Sequence, residues 1–372
     1  MRSLLPIVLL SALLLGALLL FSATPLLAQD EETTTIGGYG ELHYNEPDGA
    51  AAGTLDFHRF VLFIGHTFNQ RLSFKSEVEI EHTKIEGGTG GEVALEQAYL
   101  DWHISTAVGV RAGILLPPVG IINQYHEPPT FNGVERPNVE RAVIPATWRE
   151  SGAGVYGSLA EGVNYQLYIM AGLLAEGFNG SSGIRGGRQE AAESSPANPS
   201  LTGRLDYVPA PELRVGGSFF AGNTTGGNAA LGNGMLTLLS GDIRYAIDRF
   251  SFRAVGVYES IGDADKINLA YGNDVADRIY GYYVEGAYDV MPLFCAESET
   301  ALLPFVRYER YNTQASVTGF AADQANDRNE VTIGATLKPT YNTVFKIDYQ
   351  FFNNAAGRDA RQLNLGIGYH FN

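Results

Sequence analysis

The sequence predicts an all-β protein, a transmembrane antiparallel β-barrel of about 16 strands with a long constriction loop. Three observations lead to this prediction. Apolar and polar residues alternate along the chain, short and long connections alternate between these segments, and tyrosine and phenylalanine cluster near segment ends. A strand alternates in this way when one face meets an apolar medium and the other meets water, as in bacterial outer-membrane barrels.

The composition excludes several classes of protein. The 372 residues include 44 Gly, 20 Tyr and 19 Phe but only 2 Trp, a mixture that suits strands and loops. Beyond the first thirty residues no apolar run approaches the ~20 residues of a membrane helix, so a polytopic helical membrane protein is excluded. The net charge of −16 argues against nucleic acid as a partner, because phosphate-backbone binding needs Lys/Arg patches. The single cysteine, Cys295, cannot form an internal disulfide.

The N-terminus has the pattern of an export signal. A basic start is followed by an apolar stretch from Leu4 to Phe21 and by a short segment that ends in the small residue Ala28. This layout predicts a signal peptide over residues 1–28, which leaves 29–372 as one barrel domain. The alternative is an uncleaved anchor helix, since the apolar stretch is longer than usual.

The strand pattern continues from Ile36 to the C-terminus. In the segment 72–81, Leu, Phe, Val and Ile share one face, while lysine and glutamates share the other. The segments 163–171, 345–351 and 362–371 repeat this arrangement. A helix could not separate these residues in the same way, so period two predicts strands.

The lengths of the connections support a barrel. The predicted short turns are 69–71, 160–162, 209–212, 248–249 and 339–341, and the predicted long loops are 45–54, 85–92, 117–150, 175–200, 223–234, 261–277, 313–327 and 354–360. Soluble alternatives are a β-sandwich array or a propeller. Both favour Val, Leu and Ile in strands, and both tend to show a domain break or a sequence repeat. Neither a domain break nor a repeat is evident in this sequence.

The 117–150 segment is long for any loop, and loops of this length are usually functional or disordered. Its prolines and its apolar residues, among them Phe131 and Trp148, disfavour disorder. We therefore expect a constriction folded into the lumen after the fifth strand. Its predicted constriction residues are Glu127, Glu135, Arg136, Glu140, Arg141, Arg149 and Glu150. The alternative is that these residues pair with one another or with Arg111 and Asp101, and only pin the loop.

Charged residues on the polar faces of the strands are candidates for the pore wall. The predicted pore-lining residues are Lys75, Glu77, Glu79, Asp101, Arg111, Arg204, Arg244, Arg253 and Arg307. Both signs occur among them, so the sequence leaves the sign of ion selectivity open.

Four short motifs resemble one porin family. They are the run Asp56–Phe60, the strands Gln97–Trp102 and Gly109–Gly113, and the return from the long loop through Trp148–Val155. Over nearly the whole mature chain they resemble outer-membrane porins of the phosphate-selective O and P type. This resemblance implies a sixteen-stranded, trimeric diffusion channel whose third external loop narrows the pore.

The predicted function is an outer-membrane porin that passes small hydrophilic solutes or ions, with anions such as phosphate among the candidates. No enzyme, cofactor or metal site is expected, because the seven histidines lack zinc spacing and no G-x-S-x-G motif occurs. The expected partners are outer-membrane lipid, the permeating solutes and two further copies of the chain. The alternatives are a transporter for a specific hydrophobic or oligomeric substrate and an outer-membrane hydrolase. A plug before the first strand would indicate the transporter, and a Ser/His pair on lipid-facing strands the hydrolase.

Overall fold

Sixteen antiparallel strands form a closed barrel in the computed structural model, which describes residues 32–49, 52–86 and 90–371. The strands are β1 (Thr33–Pro47), β2 (Thr54–Thr67), β3 (Leu72–Glu81), β4 (Glu92–Ser105), β5 (Val108–Leu115), β6 (Glu150–Ala160), β7 (Val163–Ala171), β8 (Pro199–Ala210), β9 (Leu213–Asn223), β10 (Met235–Ile247), β11 (Phe250–Ile261), β12 (Arg278–Tyr288), β13 (Ala301–Ser316), β14 (Asp327–Thr340), β15 (Thr343–Asn354) and β16 (Ala360–Phe371). The predicted fold class is therefore confirmed. The predicted signal peptide lies outside the described residues.

The described residues contain one α-helix, α1 (Ala264–Tyr271), and several single turns. The turns are 3₁₀ segments at Pro128–Thr130, Ala175–Gly177, Arg185–Gly187, Ala229–Leu231, Met291–Leu293 and Gln324–Asn326, and a π turn at Val139–Val143. Within the ranges that the structure describes, no helix combines the length and apolar character needed to cross a bilayer.

Each strand pairs with its neighbour in the chain, and β16 pairs with β1 to close the barrel. At the closure Tyr39 lies opposite His370, and Leu42 lies opposite Ile367. Closure leaves no strand edge with unpaired backbone groups, which a spanning sheet requires because lipid offers no hydrogen-bond partners.

The predicted alternation sorts residues to the two sides of the wall. In β10 the outward side chains Leu239 and Ile243 are 54% and 43% exposed, whereas Asp242 between them is buried inside the barrel. In β15 the outward Phe345 and Ile347 flank the buried Lys346. The outer surface of these two strands is thus apolar, and their charged groups lie inside.

The two rims differ as the sequence predicts. Tight turns connect β6 to β7 and β10 to β11, where Gly162 has φ +71° and Asp248 has φ +50°. The connection 289–300 is an exception on this rim. It is compact because the Asp289 carboxylate accepts hydrogen bonds from the backbone N–H groups of Met291 and Leu302, both at 3.0 Å.

Two long loops fold inward rather than projecting from the rim. The constriction loop (116–149) and the second loop (172–198) pack against the inner faces of β9 to β13 and form one buried apolar cluster with them. Trp148 of the constriction loop packs on Phe220 of β9 with ring centroids 4.4 Å apart. Part of the lumen is therefore an apolar core, because the loops and the wall exclude water from it.

A β-bulge interrupts the pairing of β3 with β4. Glu77 lies opposite Gln97 and Val78 lies opposite Leu95, so Glu96 has no opposite residue. Such a bulge re-aims a side chain. Here the Glu96 side chain is fully buried and reaches His126 of the constriction loop.

Candidate functional site: the constriction

Backbone groups of the constriction loop hold it to the far wall of the barrel. The N–H of Val134 donates to Asp348 Oδ2 at 2.6 Å, and Lys346 Nζ donates to the carbonyl of Phe131 at 3.0 Å. Both wall residues belong to β15. A buried charge needs a partner. Here the backbone N–H and carbonyl groups of the loop bond to the two charged side chains and shield them from solvent.

Glu140 closes the loop on itself. Its Oε2 accepts hydrogen bonds from the N–H groups of Ile121 and Ile122 at 2.8 and 2.7 Å, and Tyr283 donates to its Oε1 at 2.7 Å. Burial raises the pKa of this carboxyl group, and the three hydrogen bonds oppose the shift only in part. Glu140 therefore shapes the loop and does not face the passage.

A cavity of about 210 Å³ lies between the loops and the opposite wall, formed by β1 to β3. The wall residues that line it are Glu41, His43, His58, Arg59 and Glu81, and the loop residues are Phe131, Val134, Glu135, Arg136, Arg141, Ala146, Thr147 and Arg185. Charges of both signs thus face each other across a narrow space. We refer to this space as the passage.

The arginine on the wall side of the passage is neutralised. Arg59 lies 2.7 Å from a carboxylate oxygen of Glu41 and 2.8 Å from one of Glu79. Glu81 is a third acidic neighbour at 3.5 Å. The wall side therefore carries more negative than positive charge.

The arginines on the loop side are bonded to carbonyl groups instead. Arg136 donates to the carbonyl of His126 at 3.3 Å, and Arg185 donates to that of Ala146 at 3.0 Å. Arg141 is exposed in the passage. Among the residues that the structure describes, none of the three forms an ion pair with a carboxylate. Burial lowers the pKa of Arg185, and the positive charges of Arg188 and Arg141 lower it further.

Glu135 connects the loop to the wall at one side of the passage. Its carboxylate lies 3.2 Å from His43 Nδ1 and accepts a hydrogen bond from Asn45 Nδ2 at 3.0 Å. Burial alone would raise the pKa of Glu135, but its contacts with His43 and Asn45 outweigh burial and lower it to about 2.

A second cavity, of about 440 Å³, lies on the short-turn side of the constriction loop. Ile121 and Tyr125 of the loop line it together with Arg244 and Arg253 of β10 and β11. Arg253 also lies 3.1 Å from a carboxylate oxygen of Glu285. The constriction loop thus separates a vestibule at the turn rim from the passage.

The predicted constriction residues divide into two groups. Glu135, Arg136 and Arg141 line the passage. The remaining residues, Glu127, Glu140, Arg149 and Glu150, are absent from the cavity lining. Arg149 has Glu92 and Glu190 within 3.4 and 3.3 Å, and Glu150 accepts hydrogen bonds from Trp148 Nε1 and the N–H of Gln189. Glu127 is half-buried.

The predicted pore-lining residues all lie on the inner face, but not at one level. Arg111 pairs with Asp101 at 2.9 Å and also donates to the hydroxyl of Tyr168 at 3.3 Å. Arg204 contacts Asp206 and Asp242, both at 2.8 Å. Arg307 is fully covered by the loop and bonds to Glu309. Lys75 is exposed, Glu77 lies beside the Glu96 bulge, and Glu79 contacts Arg59. Arg244 and Arg253 line the vestibule.

Sequence reasoning missed several passage residues. They are Glu41, His43, His58, Arg59 and Arg185. The alternation of the first two strands could have indicated that the four wall residues among them face inward. No signal could have placed Arg185, because the path of the second loop depends on packing.

Asp56, His58 and His82 form a group near the passage that could be considered for metal binding. Asp56 Oδ2 lies 3.2 Å from His58 Nδ1 and 2.7 Å from His82 Nδ1. However, Arg59 Nη2 lies 2.9 Å from His58 Nε2, and an arginine can only donate. The ring proton of a neutral His58 therefore sits on Nδ1, so this nitrogen is a hydrogen-bond donor and not a free ligand.

Comparisons with known proteins agree with the fold. No protein family model matches the chain. An uncharacterized protein of Aquifex aeolicus (strain VF5) is 38% identical over 336 residues, which are 86% of this chain and 76% of that protein. The anion-selective porin of Comamonas acidovorans superposes with a TM-score of 0.60 at 14% identity, covering 92% of this chain and 100% of that one. The trimer form of OmpT, an outer membrane protein of Vibrio cholerae, gives 0.57 at 11% identity, with 92% and 100% covered.

Proposed function

The chain belongs to the same family as the uncharacterized Aquifex aeolicus protein, and from its porin fold we propose that it is a porin of the bacterial outer membrane. It forms a water-filled passive diffusion channel for small hydrophilic solutes and ions. Its apolar outer band faces lipid, and its charged inner face is wet wherever the loops leave it open. The channel acts without a cofactor and is not an enzyme.

The observation that carries the proposal is the passage itself. A constriction loop narrows the lumen without filling it, and the remaining space of about 210 Å³ is lined by charged side chains. A plugged transporter would need a separate obstructing segment inside the barrel. The inward loops instead leave both a passage and a vestibule.

The channel prefers anions. Among the described residues, Arg136, Arg141 and Arg185 offer positive charge without a carboxylate partner, whereas Arg59 on the opposite wall is paired with glutamates. The three positive charges repel one another, so an anion that enters between them lowers their electrostatic energy. Because water is partly excluded, charges at a constriction act more strongly on ions than the same charges at an outer rim.

Phosphate is one candidate among the small anions that fit this chemistry. A guanidinium group binds phosphate oxygens through paired N–H donors. The chain works as a homotrimer, by analogy with the trimer form of OmpT, which has a similar fold. We infer that a signal peptide over residues 1–28 exports the chain before it inserts into the outer membrane.

A planar-bilayer recording in asymmetric KCl tests the function. We expect stable ohmic steps and a reversal potential of the sign that chloride permeation produces. A reversal potential of the opposite sign would contradict the anion preference alone. Absence of conductance from correctly folded, heat-modifiable protein would contradict the porin function.

A further inference from the structure

A buried group of ligands lies where the constriction loop leaves the wall of the barrel. It consists of Glu77 of β3, Glu96 of β4 and His126 of the loop, and one ligand atom from each lies within 4.8 Å of the others. Glu96 and His126 are 0% and 3% exposed. We propose that this group binds one divalent transition-metal cation, such as Zn²⁺, which fastens the constriction loop to the wall.

The orientation of His126 suits metal binding. Its Nδ1 lies 2.9 Å from the carbonyl oxygen of Asn123, which can only accept, so Nδ1 donates and Nε2 is left for a ligand. Metal-binding histidines commonly use this arrangement, because the second hydrogen bond fixes the ring and its tautomer. Nε2 lies 3.3 Å from Glu96 Oε2. Two ligands of a tetrahedral zinc ion are ~3.4 Å apart, given metal–ligand distances of about 2.0–2.1 Å.

The carboxylates of the group are positioned by the fold. Glu96 is the bulged residue of β4, and the bulge lets both Glu96 and the next residue, Gln97, reach groups inside the barrel. Its second oxygen, Oε1, is buried and has no hydrogen-bond partner among the described residues. Gln97 holds Glu77 by donating to its Oε1 at 2.6 Å. A buried, unpartnered carboxylate oxygen costs free energy unless a cation or donor satisfies it.

The neighbouring polar atoms point to the same conclusion. Two further buried oxygens, Glu127 Oε2 and the Tyr39 hydroxyl, have no hydrogen-bond partner within the part of the chain that the structure describes. The Tyr39 ring packs edge-on against the His126 ring, with centroids 6.0 Å apart. Arg59 of the wall is already bound to Glu41 and Glu79.

The donor set indicates the class of metal. One imidazole nitrogen and two carboxylates favour zinc and similar first-row cations, whereas Ca²⁺ takes six to eight oxygens. The sequence predicts no metal site, because its histidines lack any metal-binding spacing. The group forms only when a bulge and a returning loop bring three separate segments together.

Metal content tests this proposal independently of conductance. Detergent-purified barrel is stripped with EDTA, incubated with ZnCl₂, desalted and analysed for zinc by mass spectrometry. We expect one zinc per chain for the wild type and at least a tenfold loss of affinity for His126→Gln. Glu77→Gln, which keeps an amide in place of the carboxylate, is the second variant in case His126→Gln does not fold. We expect the same loss for it.

His82→Gln is the matched control, since it removes a histidine of the other His/Asp group. We expect it to bind zinc like the wild type. Zinc should also slow proteolysis of the constriction loop in the wild type and the control, but not in His126→Gln. Absence of zinc from the wild type would overturn the proposal and leave an ordinary Glu96–His126 ion pair. Zinc retained by folded His126→Gln or Glu77→Gln, or lost from His82→Gln, would also overturn it.

Discussion

The Arg59 Nε and the Glu41 Oε1 lie 2.7 Å apart, within the wall that forms one side of the passage. This pair neutralises the arginine on the wall, while the loop arginines across the passage have no acidic partner among the described residues. The two sides of the passage therefore act differently on a permeating ion. Several predictions about permeation and stability depend on this asymmetry and on the contacts that hold the loop.

Loss of a loop arginine should weaken anion preference. For Arg136→Ala and Arg141→Ala we expect the anion-to-cation permeability ratio to fall about fivefold each, because a unit charge at ~8 Å in water favours an anion by about 0.5 kcal/mol and disfavours a cation by the same amount. Reversal potentials in asymmetric KCl measure the ratio. Arg358→Ala, an exposed arginine of the loop 355–359, is the control and should cause no change.

A different response of these variants in the recording would indicate another role for the loop arginines. Higher conductance and noise without a shift of the reversal potential would mean that Arg136 and Arg141 only pin the loop. No change of either kind would mean that the loop projects into external solvent. The same recording on Arg185→Ala tests the residue that sequence reasoning missed, and we expect a similar fall.

Removing the Asp348 carboxylate should loosen the constriction loop. Asp348 accepts from the N–H of Val134 at 2.6 Å and from Asn364 Nδ2 at 2.7 Å, and each bond to a charged group contributes about 1.5–3 kcal/mol. Asp348→Ala should therefore increase single-channel noise while the barrel stays folded. Asp289→Ala loses two comparable bonds in a rim turn and is the control. Equal noise in the two variants would contradict the role of Asp348.

The Glu135 contact should be lost in acid. Because its pKa is lowered to about 2, below the usual value for glutamate, the contact stabilises the loop above about pH 4.5 and fades as the pH falls through about 2. We expect the wild-type loop to resist pepsin better than the Glu135→Gln loop at pH 4. The difference should shrink as the pH approaches 2. A difference that is constant over this range would contradict the prediction.

A charge placed on the outer face should destabilise the barrel according to depth. Ile243 lies near the middle of β10 and faces outward, so Ile243→Lys should cost about 2–4 kcal/mol of unfolding free energy in lipid. Leu159 is 66% exposed and lies beside a rim turn. Leu159→Lys should cost at most about 1 kcal/mol. Urea unfolding in vesicles measures both, and equal costs would argue against a spanning barrel.

The barrel fold could be predicted from the sequence because the alternation of apolar and polar residues is a local property of each strand. A strand between lipid and water must alternate, and β15 and β16 do so over most of their length. The inward fold of the constriction loop was also predictable from its length and apolar content. Its partners were not, since the bonds of Asp348 and Lys346 to loop backbone join groups that no periodicity relates.

The site could be predicted only in part. Arg136 and Arg141 line the passage, but Glu140 and Arg149 lie among the same charges and serve the packing of the loop instead. Charge alone does not distinguish a solvated side chain from one with a buried partner. Glu96 illustrates another limit. The adjacent polar pair Glu96-Gln97 breaks the alternation, which indicates a bulge but does not reveal the histidine that it meets.

The contacts that hold the constriction loop also have consequences for the order of assembly. Asn132 and Val134 bond to Glu285 and Asp348, residues that follow them by 153 and 214 positions. These bonds can form only once β12 and β15 present Glu285 and Asp348 on the inner face of the wall. We expect the wall to assemble around a wide lumen before the constriction loop docks. The assembly intermediate would then be a larger pore than the finished channel, with the apolar side of its loop exposed to water.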